Sequence, residues 1–263
     1  MMAVLALTGK LNSLCEQFKS LNFIVTVEAI YGSNLAIACL FSFEAISKML
    51  FQQIRNASTG AYSYMLGDSN CRVGLVIDPV LESQDVLLAL IGDLGLELHY
   101  ILLTHTHPDS DQGAVALRSR AGGAIVASTA CKLPVADMQV THGEPLAFGK
   151  EVIHVIGTPG HTQCSVCYRW RDRLFTGDTL HLGGCGDAVL PSGDPGRLFD
   201  SVTTRLFMLP PETLVFPGLD PNGRTVSTIA EEKACNPFFN GRNRDAFVTQ
   251  MSVVSQSVFP QRR

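Results

Sequence analysis

From residue 49 onward, short apolar runs alternate with amphipathic ones, and most of the apolar runs end on a polar or turn-forming residue. The run Met-Leu-Phe-Gln-Gln-Ile-Arg that starts at Met49 reads as a first strand. Residues 61–66 and 72–77 are further strand-like runs, the second closing on Asp78 and Pro79. Over residues 84–94 the period changes, and Val86, Leu87, Leu90 and Ile91 fall on one face of a helix. Residues 99–103 form a buried strand. Residues 112–120 read as a helix, and the strand 124–127 follows Gly122 and Gly123. Residues 151–156 form a strand that ends in Gly-Thr-Pro-Gly-His at His161, and 165–170 with 173–176 make a hairpin around Arg171 and Asp172. The second arm of that hairpin ends at Gly177 and Asp178. A helix over 198–208, a strand over 213–216 and helices over 227–235 and 244–253 complete the expected elements.

Four of these apolar runs deliver a polar residue at their ends: Asp78, His105, His161 and Asp178. Strand ends suit chemistry, because the strand fixes position while the adjoining loop leaves access.

The bulk numbers narrow the classes. The chain has 263 residues, 46% of them apolar, enough for one sizeable core. A net charge of −4 with no long basic run argues against a nucleic-acid partner. The first 48 residues differ from the rest. Glu28 and a Gly-Ser-Asn turn at Gly32 interrupt their apolar stretch, so neither a spanning helix nor a signal peptide fits, and no membrane partner is expected. Residues 1–48 are expected to be either an appended helical segment or a stretch upstream of the true start at Met49, with residues 49–263 forming the domain. The eight cysteines are scattered, without a disulfide framework, which points to reduced thiols in a cytoplasmic protein. Cys164 and Cys167 make a formal C-x-x-C, but in a strand positions i and i+3 face opposite ways. Two buried, small, apolar residues are therefore expected there rather than a redox or zinc pair.

The candidate chemistry is a metal site. His105 and His107 stand two residues apart just past a strand, followed by Asp109. Pro159 and Gly160 make a tight turn that presents His161, and Asp178 is a strand-end carboxylate. Imidazoles and carboxylates delivered at strand ends are donors that suit a transition metal such as iron. The same donors suit zinc, so they do not by themselves fix the ion.

Several words resemble a known family. They are Val-Ile-Asp-Pro-Val-Leu-Glu around Asp78, Thr-His-Thr-His from Thr104, Gly-Thr-Pro-Gly-His-Thr around His161, Leu-Phe-Thr-Gly-Asp-Thr around Asp178, and Gly-Cys-Gly at Gly184. Thr-Val-Ser-Thr-Ile-Ala-Glu-Glu-Lys from Thr225 and Asn236-Pro237 follow. Together they resemble the persulfide dioxygenase branch of the metallo-β-lactamase superfamily, related to glyoxalase II. The resemblance implies an α/β fold, the αββα sandwich of two mixed β-sheets flanked by helices. It implies one Fe(2+) per chain held by His105, His161 and Asp178, with His107 and Asp109 beside these ligands, orienting them or a bound water. It implies oxidation of a glutathione-type persulfide by O2 to sulfite and thiol, and points to a homodimer.

The chain departs from the family pattern at named positions. Ser110 and Leu219 replace two histidines that build the second metal site of two-metal relatives, which argues against a binuclear hydrolytic centre. Asp187 stands where the family commonly has Arg, a charge reversal at an anchor for anionic substrate, and Pro221 replaces an aromatic near the thiol-peptide pocket. Two alternatives stay open on these grounds: a mononuclear thioester hydrolase, with zinc as its metal, and a catalytically impaired pseudoenzyme. His99, His142, His154 and His181 carry no motif, Asp78 is expected to brace the strand-end loops by hydrogen bonding, and Trp170 is expected in the core.

Overall fold

The computed structural model describes residues 49–107, 111–188, 193–220 and 222–258. The expected N-terminal extension, residues 1–48, lies outside them, as do Asp109, Ser110 and Pro221. Strands β1 (Met49–Arg55), β2 (Tyr62–Asp68), β3 (Val73–Ile77), β4 (Glu97–Leu102), β5 (Ala124–Ser128) and β6 (Met138–Val140) form one sheet in sequence order. Strands β7 (Pro145–Phe148), β8 (Glu151–Gly157), β9 (Val166–Trp170), β10 (Arg173–Gly177), β11 (Leu214–Pro217) and β12 (Ser227–Thr228) form a second, also in order. Both are mixed: β3 to β6 run parallel, as do β10 and β11, and the other neighbours are antiparallel. The crossovers of the first sheet are α1 (Gln84–Asp93) and α2 (Gln112–Ala121).

Strand alternation sorts the apolar residues into layers. Tyr64, Leu66, Leu75, Ile77 and Leu102 of the first sheet meet Val155, Tyr168, Trp170 and Phe175 of the second in the central core, where Trp170 was expected. Their neighbours Met65, Val76 and Ile101 point outward to Leu87, Ile91 and Leu117 of α1 and α2. On the far side, Cys167, Leu174 and Val215 face Leu198 of α3 (Pro195–Ser201), Ile229 of α4 (Ile229–Cys235) and Phe247 of α5 (Arg244–Val258). This is the expected αββα sandwich. β2 and β3 are buried at every position because both faces are covered, whereas β8 alternates buried and exposed residues. A one-residue slip of β3 would exchange Val76 with Leu75 and Ile77 across the sheet, and each buried aliphatic side chain is worth about 1.5–3 kcal/mol.

Some elements differ from expectation. The helix expected over 198–208 starts at Pro195, because Asp194 caps it by accepting Arg197 N–H (3.0 Å) and Pro195 occupies the first turn. It continues as a π-helical turn, Val202–Leu206. Residues 227–228 are a strand rather than helix, with Thr228 capping α4 through Glu231 N–H (3.1 Å). β6 and β7, of three and four residues, were not expected. Val86 is exposed, since α1 buries Gln84, Leu87 and Ile91 instead.

The two sheets are joined where the functional words lie. Val166 N–H donates to Thr104 O (2.7 Å), and the Tyr168 hydroxyl donates to Leu103 O (2.9 Å). Gly177, at φ 50°, approaches Thr104 so closely that a Cβ there would lie 2.3 Å from its Oγ1. Only glycine accepts both that backbone region and that contact. The residues that follow, His105 and Asp178, are thereby neighbours.

Candidate metal centre

His105 leaves the end of β4 and is oriented from behind. Asp78, held at φ 47°, accepts Thr104 N–H at Oδ1 (2.8 Å) and the Thr104 hydroxyl at Oδ2 (2.7 Å), the bracing role expected for it. With its proton given to an ionised Asp78, the Thr104 hydroxyl accepts from His105 Nδ1 at 2.9 Å, which leaves Nε2 with a lone pair facing the site. Burial pushes the Asp78 carboxyl up to about 7, the Thr104 bonds offsetting part of the rise and the charge of Asp178 adding to it. Burial likewise holds His105 down at about 4, against the pull of Asp178.

His161 is set by its turn. Asp194 N–H donates to Gly160 O (2.7 Å), the Ser201 hydroxyl donates to Pro159 O (2.7 Å), and a Cβ on Gly160 would strike the Leu198 backbone at 2.3 Å. His161 Nδ1 donates to the carbonyl oxygen of Asp187 at 2.7 Å, and the Asp187 carboxylate lies 3.1 Å away. A carbonyl only accepts, so Nδ1 carries the proton and Nε2 is the donor atom left for a ligand. Burial opposes charge on His161, but the Asp187 and Asp178 carboxylates outweigh it and raise its proton affinity.

The structure brings three expected residues together, and His107 with them. His105, His107 and His161 each offer one ring nitrogen, and these three atoms lie within 4.8 Å of one another. Their rings stand nearly perpendicular, with centroids 4.9–5.0 Å apart, and Nε2 of His107 is 2.9 Å from Nε2 of His161. Asp178 Oδ2 lies 3.7 Å from His105 Nε2 and 3.8 Å from His161 Nε2. Its other oxygen, Oδ1, is 3.3 Å from His181 Nε2. Burial would raise Asp178, but the His181 bond and the surrounding imidazoles hold it well below the usual carboxylate range. The donor set fits a transition metal: three imidazoles and an ionised carboxylate converge, with the His105 and His161 tautomers that leave lone pairs inward. Close approach of two glycines permits the arrangement. A Cβ on Gly186 would sit 2.2 Å from Asp178 O, and one on Gly218 would sit 2.6 Å from Asp178 Oδ1.

Beside His105 and Asp178 opens a cavity of about 440 Å³, lined also by Tyr62, Val80, Gln112 and Leu219. Leu219 thus presents an aliphatic side chain to this cavity. His181 escaped the sequence reading because no family word includes it, although it follows Asp178 by three residues. Asp187 was read as a substrate-side charge, and here it also holds His161. Cys164 and Cys167 are both buried, but Cys164 lies in the turn before β9, beside Thr162, and only Cys167 is in the strand, on the helix side of the second sheet. His154 is exposed mid-strand, and His142 Nδ1 accepts Gly157 N–H (3.2 Å). Among the described residues no helix is long and apolar enough to cross a membrane.

Residues 59–218, which include His105, His161 and Asp178, are matched by the sequence model of the metallo-beta-lactamase superfamily. The chain belongs to the metallo-beta-lactamase superfamily. It is 36% identical over 191 residues to the mitochondrial persulfide dioxygenase ETHE1 of Mus musculus, covering 72% of this chain and 75% of that protein. It is 34% identical over 216 residues to the hydroxyacylglutathione hydrolase of Rhodobacter capsulatus, covering 68% and 82%. The crystal structure of ETHE1 from Myxococcus xanthus superposes with a TM-score of 0.75 at 41% identity, over 78% of this chain and 91% of that one. These superfamily relatives are enzymes, as expected for this chain.

Proposed function

We propose that this protein is an iron-dependent persulfide dioxygenase, with His105, His161 and Asp178 holding one Fe(2+) and His107 beside them. The observation that carries the reading is the convergence of these imidazoles with a carboxylate at the joined strand ends, in a chain similar to persulfide dioxygenases. When bound, iron supplies the activation of O2 and the oxidation of the sulfane sulfur. In the net change R–S–SH, O2 and water give R–SH, sulfite and two protons. The chain's residues do the rest. Asp78 and Thr104 hold the His105 ring, and the Asp187 carbonyl holds His161. His181 engages Oδ1 of Asp178, so that Oδ2 turns to the site. The cavity beside His105, walled by Leu219 and Val80, admits the body of a thiol persulfide and shields the reacting sulfur from bulk water. A glutathione-type persulfide is the proposed substrate, and the exposed Asp187 carboxylate lowers affinity for its carboxylates. Six free cysteines, with no disulfide among the described residues, fit a cytoplasmic enzyme.

A second reading, a mononuclear hydrolase using zinc, is favoured by the similarity to hydroxyacylglutathione hydrolase and by a donor set that zinc also accepts. Metal analysis of anaerobically purified protein, followed by O2 uptake with glutathione persulfide, separates the two. One iron per chain and stoichiometric sulfite are expected. Zinc with thioester cleavage and no O2 uptake would replace the dioxygenase by the hydrolase, and a chain without stoichiometric metal would be the pseudoenzyme. His105→Ala, His161→Ala and Asp178→Ala should each lose the metal, and retained iron and activity in Asp178→Ala would overturn the ligand set.

A further inference from the structure

Glu232 is a carboxylate only 2% exposed, on a helix far along the chain from the candidate metal ligands. Burying a carboxylate is costly unless its oxygens are hydrogen-bonded, so the place where its bonds land is informative. Its Oε2 accepts Gly183 N–H and Asn236 Nδ2, each at 2.9 Å. Asn236, wholly buried, closes α4 one helical turn later and lies on the same face. Its amide is fixed by its neighbours. Oδ1 accepts Phe238 N–H (3.0 Å), and Nδ2 donates to Gly184 O (2.9 Å) as well as to Glu232. Both amide protons are used, so the side chain has one orientation. The two side chains thus grip successive residues, Gly183 and Gly184, of the segment between Asp178 and Asp187. That segment supports Asp178 and His161. His181 N–H donates to Gly184 O (3.1 Å), Gly184 N–H donates to His181 O (3.3 Å), and the His181 ring reaches Asp178 Oδ1 at 3.3 Å. Further on, Gly186 N–H donates to Asp178 O (2.9 Å), and Asp187 O accepts from His161 Nδ1 (2.7 Å).

We propose that Glu232 and Asn236 are positioning residues of the metal centre, a brace on Gly183 and Gly184 that aims the His181 ring at Asp178 and the Asp187 carbonyl at His161. The brace touches neither metal nor substrate and acts only through these two contacts. Its role toward a metal rests on the proposed dioxygenase reading, which makes His161 and Asp178 ligands. The segment needs holding from outside. It carries glycine at 183, 184 and 186, with Gly183 at φ 75°. Glycine loses more conformational freedom on ordering than any other residue, so such a segment does not keep one shape by itself. The two hydrogen bonds from α4, a helix packed on the core through Ile229, supply the missing constraint. Without them the ligands remain present but are differently aimed, and constellations of this kind tolerate displacements of only about 0.5 Å.

Titration of the metal-free, full-length chain with Co(2+) against a chromophoric chelator tests this. Glu232→Leu, which removes the acceptor, is expected to lose about 10-fold in affinity, the lower end of the loss typical for a disturbed supporting contact. Asn236→Ala should lose a similar factor. Glu232→Gln places a carbonyl oxygen where Oε2 stands, keeps both bonds and should restore affinity to near that of wild type. Glu151→Gln, at the far end of β8 from His161, lowers stability without touching the loop and should bind Co(2+) like wild type. A second readout needs no metal. Nitrogen NMR of the neutral His161 ring should show the proton on Nδ1 in wild type and a mixture of tautomers in Glu232→Leu. Wild-type affinity and tautomer in Glu232→Leu and Asn236→Ala would overturn the proposal. So would a loss in Glu151→Gln as large as that in Glu232→Leu, since the effect would then be one of general stability. Should neither loop variant fold, amide exchange in wild type decides. Gly183 N–H is expected to be protected, and exchange at the rate of an open loop would overturn the brace. A wild type that binds no metal would sink the dioxygenase reading, and the tautomer and exchange data would still judge the brace.

Discussion

Gly186→Ala is the substitution that most directly tests how the site is assembled. The added Cβ would stand 2.2 Å from Asp178 O and 2.9 Å from His161 Nδ1. Ordinary contact needs about 3.5 Å, so the backbone must open by about 1 Å, and a backbone carbonyl cannot change rotamer to make room. The same movement strains the bond from Gly186 N–H to Asp178 O, now 2.9 Å. Overpacking costs about 1–3 kcal/mol and the weakened hydrogen bond about 1 kcal/mol, together about 2–4 kcal/mol. For a domain of this size that is a fall in melting temperature of about 5–15 °C. Catalytic constellations tolerate displacements of only about 0.5 Å, and disturbed supporting contacts typically cost about 10–100-fold in metal affinity. Gly184→Ala, two residues away, is the control, because its Cβ would meet nothing nearer than His181 Cβ at 3.7 Å. It should stay within about 0.5 kcal/mol of wild type. Thermal melts and metal competition titrations on both variants decide the matter. If Gly186→Ala melts and binds metal like Gly184→Ala, the close approach has no energetic weight and the account of the cradle is wrong.

Three further outcomes are expected. Glu151, buried, accepts from Trp170 Nε1 and Arg171 Nε at 2.8 Å each, and Arg171 foremost holds its carboxyl below 4.5. A depressed carboxylate stabilises above its unfolded pKa and loses that contribution as pH falls through its folded one, so Glu151→Gln should cost about 1–3 kcal/mol at pH 7 and progressively less below pH 4.5 in urea titrations. Gly113→Ala should cost at least about 3 kcal/mol, since its Cβ would overlap Pro79 O at 1.9 Å, and an unchanged melting curve would refute that packing. Asp187→Arg leaves the carbonyl bond to His161 in place but reverses the nearby charge, so KM for glutathione persulfide should fall several-fold while that for an uncharged alkyl persulfide stays put.

Much of the protein was legible along the chain, because the legible parts are local. Short continuous apolar runs such as those around Leu75 and Tyr168 read as buried strands, and the turn residues around Gly160 and Gly177 mark where strands stop. His105, His161 and Asp178 could be named before any coordinates, since each follows a strand in a recognisable word. What the sequence could not decide is everything set by distance through space. β6 and β7 are too short to carry a period, and β12 is a strand only because β11 offers it hydrogen bonds. His181 has no word around it, yet three residues of loop carry its ring back onto Asp178 Oδ1. Asp187 reads as a substrate-side charge until the segment after Gly186 lays its carbonyl on His161 Nδ1. The cysteines show the limit most plainly. Cys164 and Cys167 are three residues apart in sequence, yet Cys164 lies in the turn before β9 beside Thr162 while Cys167 lies within β9 against Thr158. Local propensity is written in consecutive residues, but a site is built by the packing of two sheets, and that packing is a property of the whole core.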